Sequence, residues 1–229
     1  MAIYDNPKIV TDGLVLCLDA GNRKSYPGSG NTWSDLSGLG NNGTLTNGPT
    51  YSQDNGGGFL FDGVNDYVDT GNINYLFNTP FTISMWIKFA SVSSVSALVS
   101  TYGPGNDGFF IEIPAGGTGV RFVYRNLGLD KFDFTATKTI STGVFYNIVG
   151  VCYDGVGRVF VDSLDIGHQG FTSPGFFSVA KNSVDINRLS VANLRYANAT
   201  TYSVQIHRLA LSPKEIAQNF NATRKRFGI

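Results

Sequence analysis

Three observations predict an all-β protein, an antiparallel sandwich with one short helix at its C-terminus. The acidic residues are fifteen Asp against only two Glu, Glu112 and Glu215, and Asp favours turns where Glu favours helix interiors. Twenty-eight glycines belong with many tight turns. Apolar and polar residues alternate along successive short segments, the period of a strand with one buried face. A chain of 229 residues that is 42% hydrophobic fills one sandwich without splitting and buries a sizeable core.

The elements follow in order. Leu14 to Leu18 is the first strand, closed by Asp19-Ala20-Gly21-Asn22. Residues 25 to 58 are rich in Gly, Asn, Ser and Thr. So long a loop inside a compact domain carries short strands of its own, with Gly43-Thr44-Leu45 as the candidate. Phe59–Phe61 and Tyr67–Asp69 read as short strands either side of an Asp-Gly turn. Along 81–89, Phe81, Ile83, Met85, Ile87 and Phe89 take one face and Thr82, Ser84, Trp86 and Lys88 the other. Further strands are expected at Phe109–Ile113, Val120–Arg125, Tyr146–Tyr153, Val159–Val161, Val184–Val191 and Tyr202–Leu211, with a hairpin turn at Asp154-Gly155-Val156-Gly157. Ser212-Pro213-Lys214-Glu215 is a capping box with Pro at the first helical position, so a helix is expected over 213–224. Ile216 and Phe220 share one face of it and dock it on the sandwich. Residues 13–229 form the domain, and 1–12 an N-terminal arm or first edge segment in which Pro7 forbids a central strand.

Seventeen Lys and Arg balance seventeen Asp and Glu. Nucleic-acid binding, which needs a basic footprint, is not expected. Neither membrane insertion nor a signal peptide is expected, because the chain has no long apolar run and its start has no basic-then-apolar pattern. Cys17 and Cys152 fall in apolar strand patterns far apart and read as buried free thiols.

The run from Gly13 to Ala20 followed by Thr32-Trp33-Ser34-Asp35-Leu36-Ser37-Gly38 resembles the opening of a laminin-G-like, concanavalin A-like jelly roll. Phe59 to Val68, Phe81 to Ile87 and His207 to Ile216 resemble that family's Asp-Gly strand, tryptophan strand and closing strand with capped helix. Phe145-Tyr146 and Asp162-Ser163 stand where many members have a Trp and an Asn-Gly turn. The resemblance implies an antiparallel β-sandwich jelly roll, in a fold that hosts lectins, hydrolases and adhesion modules alike. Lys24 to Gly30 and Gln218 to Thr223 are similar in wording to a subset found in tailed-phage structural proteins.

Several residues carry candidate chemistry. Tyr26, Trp33, Trp86, Tyr102, Asn106 and Asp107 would build a sugar site, with aromatic faces against pyranose C–H groups and amide or carboxylate oxygens reading hydroxyls. Arg121, Tyr124 and Arg125 offer a second polar and aromatic strand surface. Asp62, Asn65 and Asp66 form the best oxygen-rich cluster, and calcium is the cation such oxygens take. The same residues also make plain turns by local hydrogen bonds. Asp19, Asn22 and Asp35 are weaker alternatives. No cofactor is required by this reading. His207 reads as a satisfied structural histidine and His168 as a loop residue. Glycoside hydrolysis needs paired carboxylates, yet Glu215 is taken by the cap and Glu112 has no acid at residue 110 or 114.

The expected function is therefore a non-enzymatic phage virion surface protein, a capsid decoration or tail-associated adhesin that binds host or environmental glycans. It would be made in the host cytoplasm and held to other virion proteins or sister subunits through residues 1–12. The alternatives are a free-standing lectin-like carbohydrate-binding module, calcium-dependent in one form, and a glycan hydrolase.

Overall fold

The computed structural model describes residues 7–73, 80–101, 108–126, 129–153, 156–170, 183–190 and 194–229. Among the described residues sixteen strands form two sheets. In chain order the first eight are β1 (Leu14–Asp19), β2 (Thr32–Trp33), β3 (Gly43–Thr46), β4 (Thr50–Ser52), β5 (Gly58–Asp62), β6 (Tyr67–Asn72), β7 (Phe81–Phe89) and β8 (Ser96–Ser100). The second eight are β9 (Gly108–Ile113), β10 (Gly119–Asn126), β11 (Leu129–Thr137), β12 (Phe145–Tyr153), β13 (Val156–Val161), β14 (Leu164–Gly170), β15 (Ser183–Ile186) and β16 (Asn198–His207). Helix α1 (Pro213–Thr223) follows and runs into a 3-10 turn, Arg224–Phe227.

The first sheet has the order β14-β13-β12-β7-β16-β5-β4, with β1 also on β16. The N-terminal half of β16 pairs with β5 and its C-terminal half with β1, so one long strand bridges two short ones. The second sheet has the order β11-β10-β9-β8-β15-β6-β3-β2, and the pairings are antiparallel throughout. The inward residues of both sheets meet in one core. Its aromatic centre includes Phe81 stacked on Phe109 and Phe122 edge-on to Phe132.

Strand β7 shows how alternation places residues. Phe81, Ile83, Met85, Ile87 and Phe89 all lie in the main core, as their spacing predicts. The opposite face is covered as well. Trp86 stacks between Phe220 of α1 and Phe227 at centroid distances of 5.6 and 4.3 Å, and its indole N–H donates to Thr223 Oγ1 at 2.9 Å. Thr82 Oγ1 donates to the Leu209 carbonyl and accepts from the Leu211 N–H, tying the chain where it leaves β16 for α1. That crossing ends β16 at His207, short of the expected Leu211, while its start lies earlier, at Asn198.

Five strands go beyond the expectation. β2 and β4 are two and three residues long and lie inside the loop of 25 to 58. β8 is buried on both faces and so lacks alternation. β14 is an exposed edge strand interrupted by Gly167. β11 does alternate, with Phe132 and Ala136 inward, but Lys131 and Asp133 lower its strand propensity. The strand expected at Val184–Val191 is shorter, ending at Ile186. His168 lies in β14 opposite Arg158 and not in a loop.

Asp162 and Ser163 join β13 to β14 with φ of 53° and 67°. A two-residue hairpin that turns with the sheet twist requires φ > 0 at both positions. Asp162 Oδ1 accepts the Asn147 N–H at 2.9 Å, which holds the first in place without glycine.

The described part of the N-terminal segment is neither a strand nor a free arm. Gln218 of α1 donates to the Lys8 carbonyl at 2.7 Å, and Asn219 Oδ1 accepts the Val10 N–H at 2.7 Å. His207 Nε2 meets the Val10 carbonyl at 3.0 Å. Residues 8–10 are thus bound to the helix and closing strand of their own domain; residues 1–6 lie outside the described residues. No helix among the described residues is long and apolar enough to cross a membrane.

Candidate functional site

Burial removes three of the expected sugar-site residues from solvent. Trp33 is fully buried and packs edge-on to Phe59 at 4.8 Å, plugging the long loop. Tyr26 is buried against Phe59 and Tyr51, and its hydroxyl donates to the Gly30 carbonyl. Trp86 is 3% exposed because α1 lies over it. None offers a ring face to a ligand: Tyr26 and Trp33 meet on Phe59 inside the main core, and Trp86 lies apart in the cluster under α1. Tyr102, Asn106 and Asp107 fall outside the described residues. Tyr124, expected on a strand surface with Arg121 and Arg125, instead turns inward on Phe132 because it shares the face of Val120 and Phe122.

The oxygen-rich turn makes the bonds of an Asx turn. Asp62 Oδ1 accepts the Val64 N–H at 2.8 Å and the Asn65 N–H at 3.4 Å, and Asp66 Oδ2 accepts the Asp62 N–H at 3.2 Å. The Asn65 carbonyl accepts from Asn47 Nδ2. Gly63 has φ 78°, and a Cβ there would stand 2.8 Å from that of Asn198. Burial raises the Asp66 carboxyl pKa against the lowering effect of its backbone bond. Among the described residues no three His, Cys, Asp or Glu side chains converge as metal ligands. The weaker alternatives are also engaged. Asp35 accepts from the N–H groups of Cys17, Ser37 and Asn41, stitching the loop to β1. Asp19 Oδ1 takes the Gly21 N–H and Arg226 Nη1, and Asn22 Oδ1 the Lys24 N–H.

Both glutamates are committed. Glu112 is buried on the outer face of the second sheet, with Oε1 held by Arg121 Nη1 at 2.9 Å and Oε2 by Arg195 Nη1 at 2.6 Å. Arg121 also grips Asp133 with Nε at 2.7 Å and Nη2 at 2.5 Å. Glu215 Oε2 accepts from the Ser212 N–H and hydroxyl at 2.8 and 2.7 Å, completing the capping box. Those two bonds, the hydroxyl's first, hold its pKa below the usual carboxylate value.

A concavity of about 580 Å³ lies on the outer face of the first sheet. It arises because α1 covers only part of an apolar stripe. Along β12 the outward residues are Val149, Val151 and Tyr153; Val149 and Val151 are buried in one cluster with Phe160, Leu211 and Ile216, while Tyr153 lies beyond it and is exposed. Phe160 and Val151 floor the groove, Arg158 and Val156 of β13 form one wall, and Ala210 to Pro213 form the other. Tyr153 is 56% exposed. Arg158 Nη1 is 3.5 Å from Asp165 Oδ2, with both side chains reaching solvent. The sequence signal for this site was outward alternation on adjacent strands next to a helix start, which aromatic and polar clustering along the chain does not pick out. A second hollow of about 380 Å³ separates Trp86, Ser203 and Gln205 from the C-terminal turn. Arg226 closes it by bonding to Asp19 and to the carbonyls of Asn55 and Gly57.

Two twisted antiparallel sheets with a capped C-terminal helix define a lectin-like jelly roll. The chain belongs to the concanavalin A-like lectin/glucanases superfamily, whose laminin-G family model matches residues 62–217. No curated protein sequence matches it. The binding domain of a paraclostridial mosquitocidal protein superposes with a TM-score of 0.74 at 16% identity, covering 93% of this chain and 52% of that one. The serotype D botulinum neurotoxin ligand-binding domain, in complex with N-acetylneuraminic acid, gives 0.70 at 13%, covering 92% and 51%. Domain 4 of an extracellular arabinanase from Geobacillus stearothermophilus, in complex with arabinotriose, gives 0.70 at 16%, covering 90% and 97%. The chain thus spans about half the length of the toxin domains it matches and nearly all of the arabinanase domain. At these identities the likeness is one of fold.

Proposed function

We propose that this chain is a non-enzymatic, glycan-binding adhesion module carried on a bacteriophage particle, as a capsid decoration or tail-associated adhesin. The observation that carries glycan binding is the groove beside α1, where an exposed tyrosine and a hydrogen-bonding rim surround a short apolar floor. Two of the superposed structures hold sugars in complex, which supports the same reading by analogy of fold. Support for a binding rather than hydrolytic role comes from the glutamates: Glu112 is neutralised by two arginines and Glu215 is spent on the cap. The particle assignment rests on the wording of Lys24 to Gly30 and Gln218 to Thr223, and many weak sites on one particle would add to useful avidity.

A glycan array with the purified chain tests binding, run with and without chelator. Binding in both conditions is expected, because the proposal needs no metal; loss with chelator would return Asp62, Asn65 and Asp66 to consideration as a calcium site. Mass spectrometry of purified virions tests the location. A chain that binds glycans but is absent from particles is a free-standing lectin-like module. New reducing ends from incubated polysaccharide would overturn the non-enzymatic assignment.

A further inference from the structure

We infer that the groove between the paired strands β12 and β13 and the Ala210–Pro213 segment is the saccharide site, and that its ligand is an uncharged sugar. This rests on the glycan-binding reading above and adds a place and a ligand class to it.

The floor side chains Val151, Phe160 and Leu211 are 5%, 2% and 5% exposed, so the apolar surface the groove presents comes from its walls, from Tyr153, Val156, Ala210 and Pro213. On the strand side the open side chains are Tyr153 at one end and Arg158 beside it, placed diagonally on paired strands through Val151↔Arg158 and Tyr153↔Val156. On the far wall Ser212 and Pro213 are open. An aromatic face of this kind accepts the C–H face of a pyranose, while a guanidinium supplies several N–H donors in one plane to its hydroxyls. The volume of about 580 Å³ lies within the range of small-ligand sites.

The rim decides the charge. Arg158 is balanced by Asp165 at 3.5 Å, and Ser212 on the far wall is bonded to the Glu215 carboxylate. An anionic sugar attracted to Arg158 would compete with the Asp165 carboxylate for it, and a cationic ligand would meet the guanidinium. A hydroxyl both donates and accepts, so it suits a rim that holds both signs. Arg158 and Asp165 are 45% and 37% exposed as side chains, free enough to turn their pairing toward a ligand without unfolding anything.

The full chain and the variants Tyr153→Ala and Arg158→Ala are to be compared on an array carrying neutral hexose and pentose oligosaccharides beside sialylated and uronic-acid glycans. Both positions are exposed, and unchanged melting temperatures verify that the variants fold. The expected result is binding to neutral glycans that falls at least tenfold in each variant. Binding confined to the acidic glycans overturns the ligand class. Neutral-glycan binding that neither variant weakens overturns the site and leaves glycan binding standing. A blank array for the unaltered chain overturns both. Protection of Tyr153 from iodination by octanoate micelles, with none by any saccharide, would mark the groove as an acyl site and likewise overturn the assignment.

Discussion

His207 carries the most consequential single-residue chemistry outside the groove. It is fully buried at the end of β16, where Nε2 meets the Val10 carbonyl and Nδ1 has no hydrogen-bond partner among the described residues. Nε2 bonded to a carbonyl is the protonated nitrogen of a neutral ring, so acid would add a second, unaccepted N–H and a buried charge. Burial accordingly lowers its pKa below 6.5, opposed by the Val10 bond and by the charges of Glu215 and Asp12. A depressed folded-state pKa gives stability that is present above pH 6.5 and is lost as pH falls toward the folded value. Denaturation midpoints should therefore fall between pH 7 and 5, with early amide exchange at residues 8–12, and His207→Gln should flatten that fall. An identical acid profile in the variant would refute the assignment.

Among the elements, α1 links the termini to the sandwich. Its cap is complete, with Ser212 Oγ accepting the Glu215 N–H and Glu215 answering at the Ser212 N–H. Its inner face buries Ile216 and Asn219, and its last turn stacks Phe220 on Trp86. Ser212→Ala removes the cap and should lower stability by about 1 kcal/mol, read as a shift in urea midpoint without a change of slope. The capping box was legible because its chemistry is local, four residues long and marked by Ser, Pro and Glu. The partner of the helix was not, since Trp86 lies over a hundred residues away and shows only as one aromatic on the polar face of an alternating strand. For the same reason Trp86 reads in sequence as a candidate sugar platform and in the fold as packing.

At the scale of the whole molecule both thiols are buried, Cys152 in the main core and Cys17 on the other side of its strand, where it lines the second hollow. Cys17 lies beneath the loop that Asp35 stitches down. Burial pushes each pKa up to about 12, for Cys17 with added repulsion from Asp19 and Asp35. Neither is a nucleophile at neutral pH. Labelling by a disulfide reagent at pH 8 should be undetectable in the native protein and should appear for both thiols together, at the rate of global unfolding. Rapid reaction of either thiol before unfolding would show that its enclosure opens locally.

The sequence by itself determined the fold class, the strands that alternate, the capped helix and the buried state of both cysteines. These follow from period, composition and short-range hydrogen bonding, which act within a few residues. Tertiary structure alone decided which aromatic residues reach solvent, that the first described residues lie against α1, and that Glu112 is held by arginines from β10 and from the segment before β16. It also decided where the groove lies. The helix is eleven residues long, and the cluster it closes with Leu211 covers the outward stripe of β12 only as far as Val151, so Tyr153 is left exposed by the length and placement of a distant element. No local pattern encodes that, because exposure depends on what packs above a residue as much as on the face it occupies.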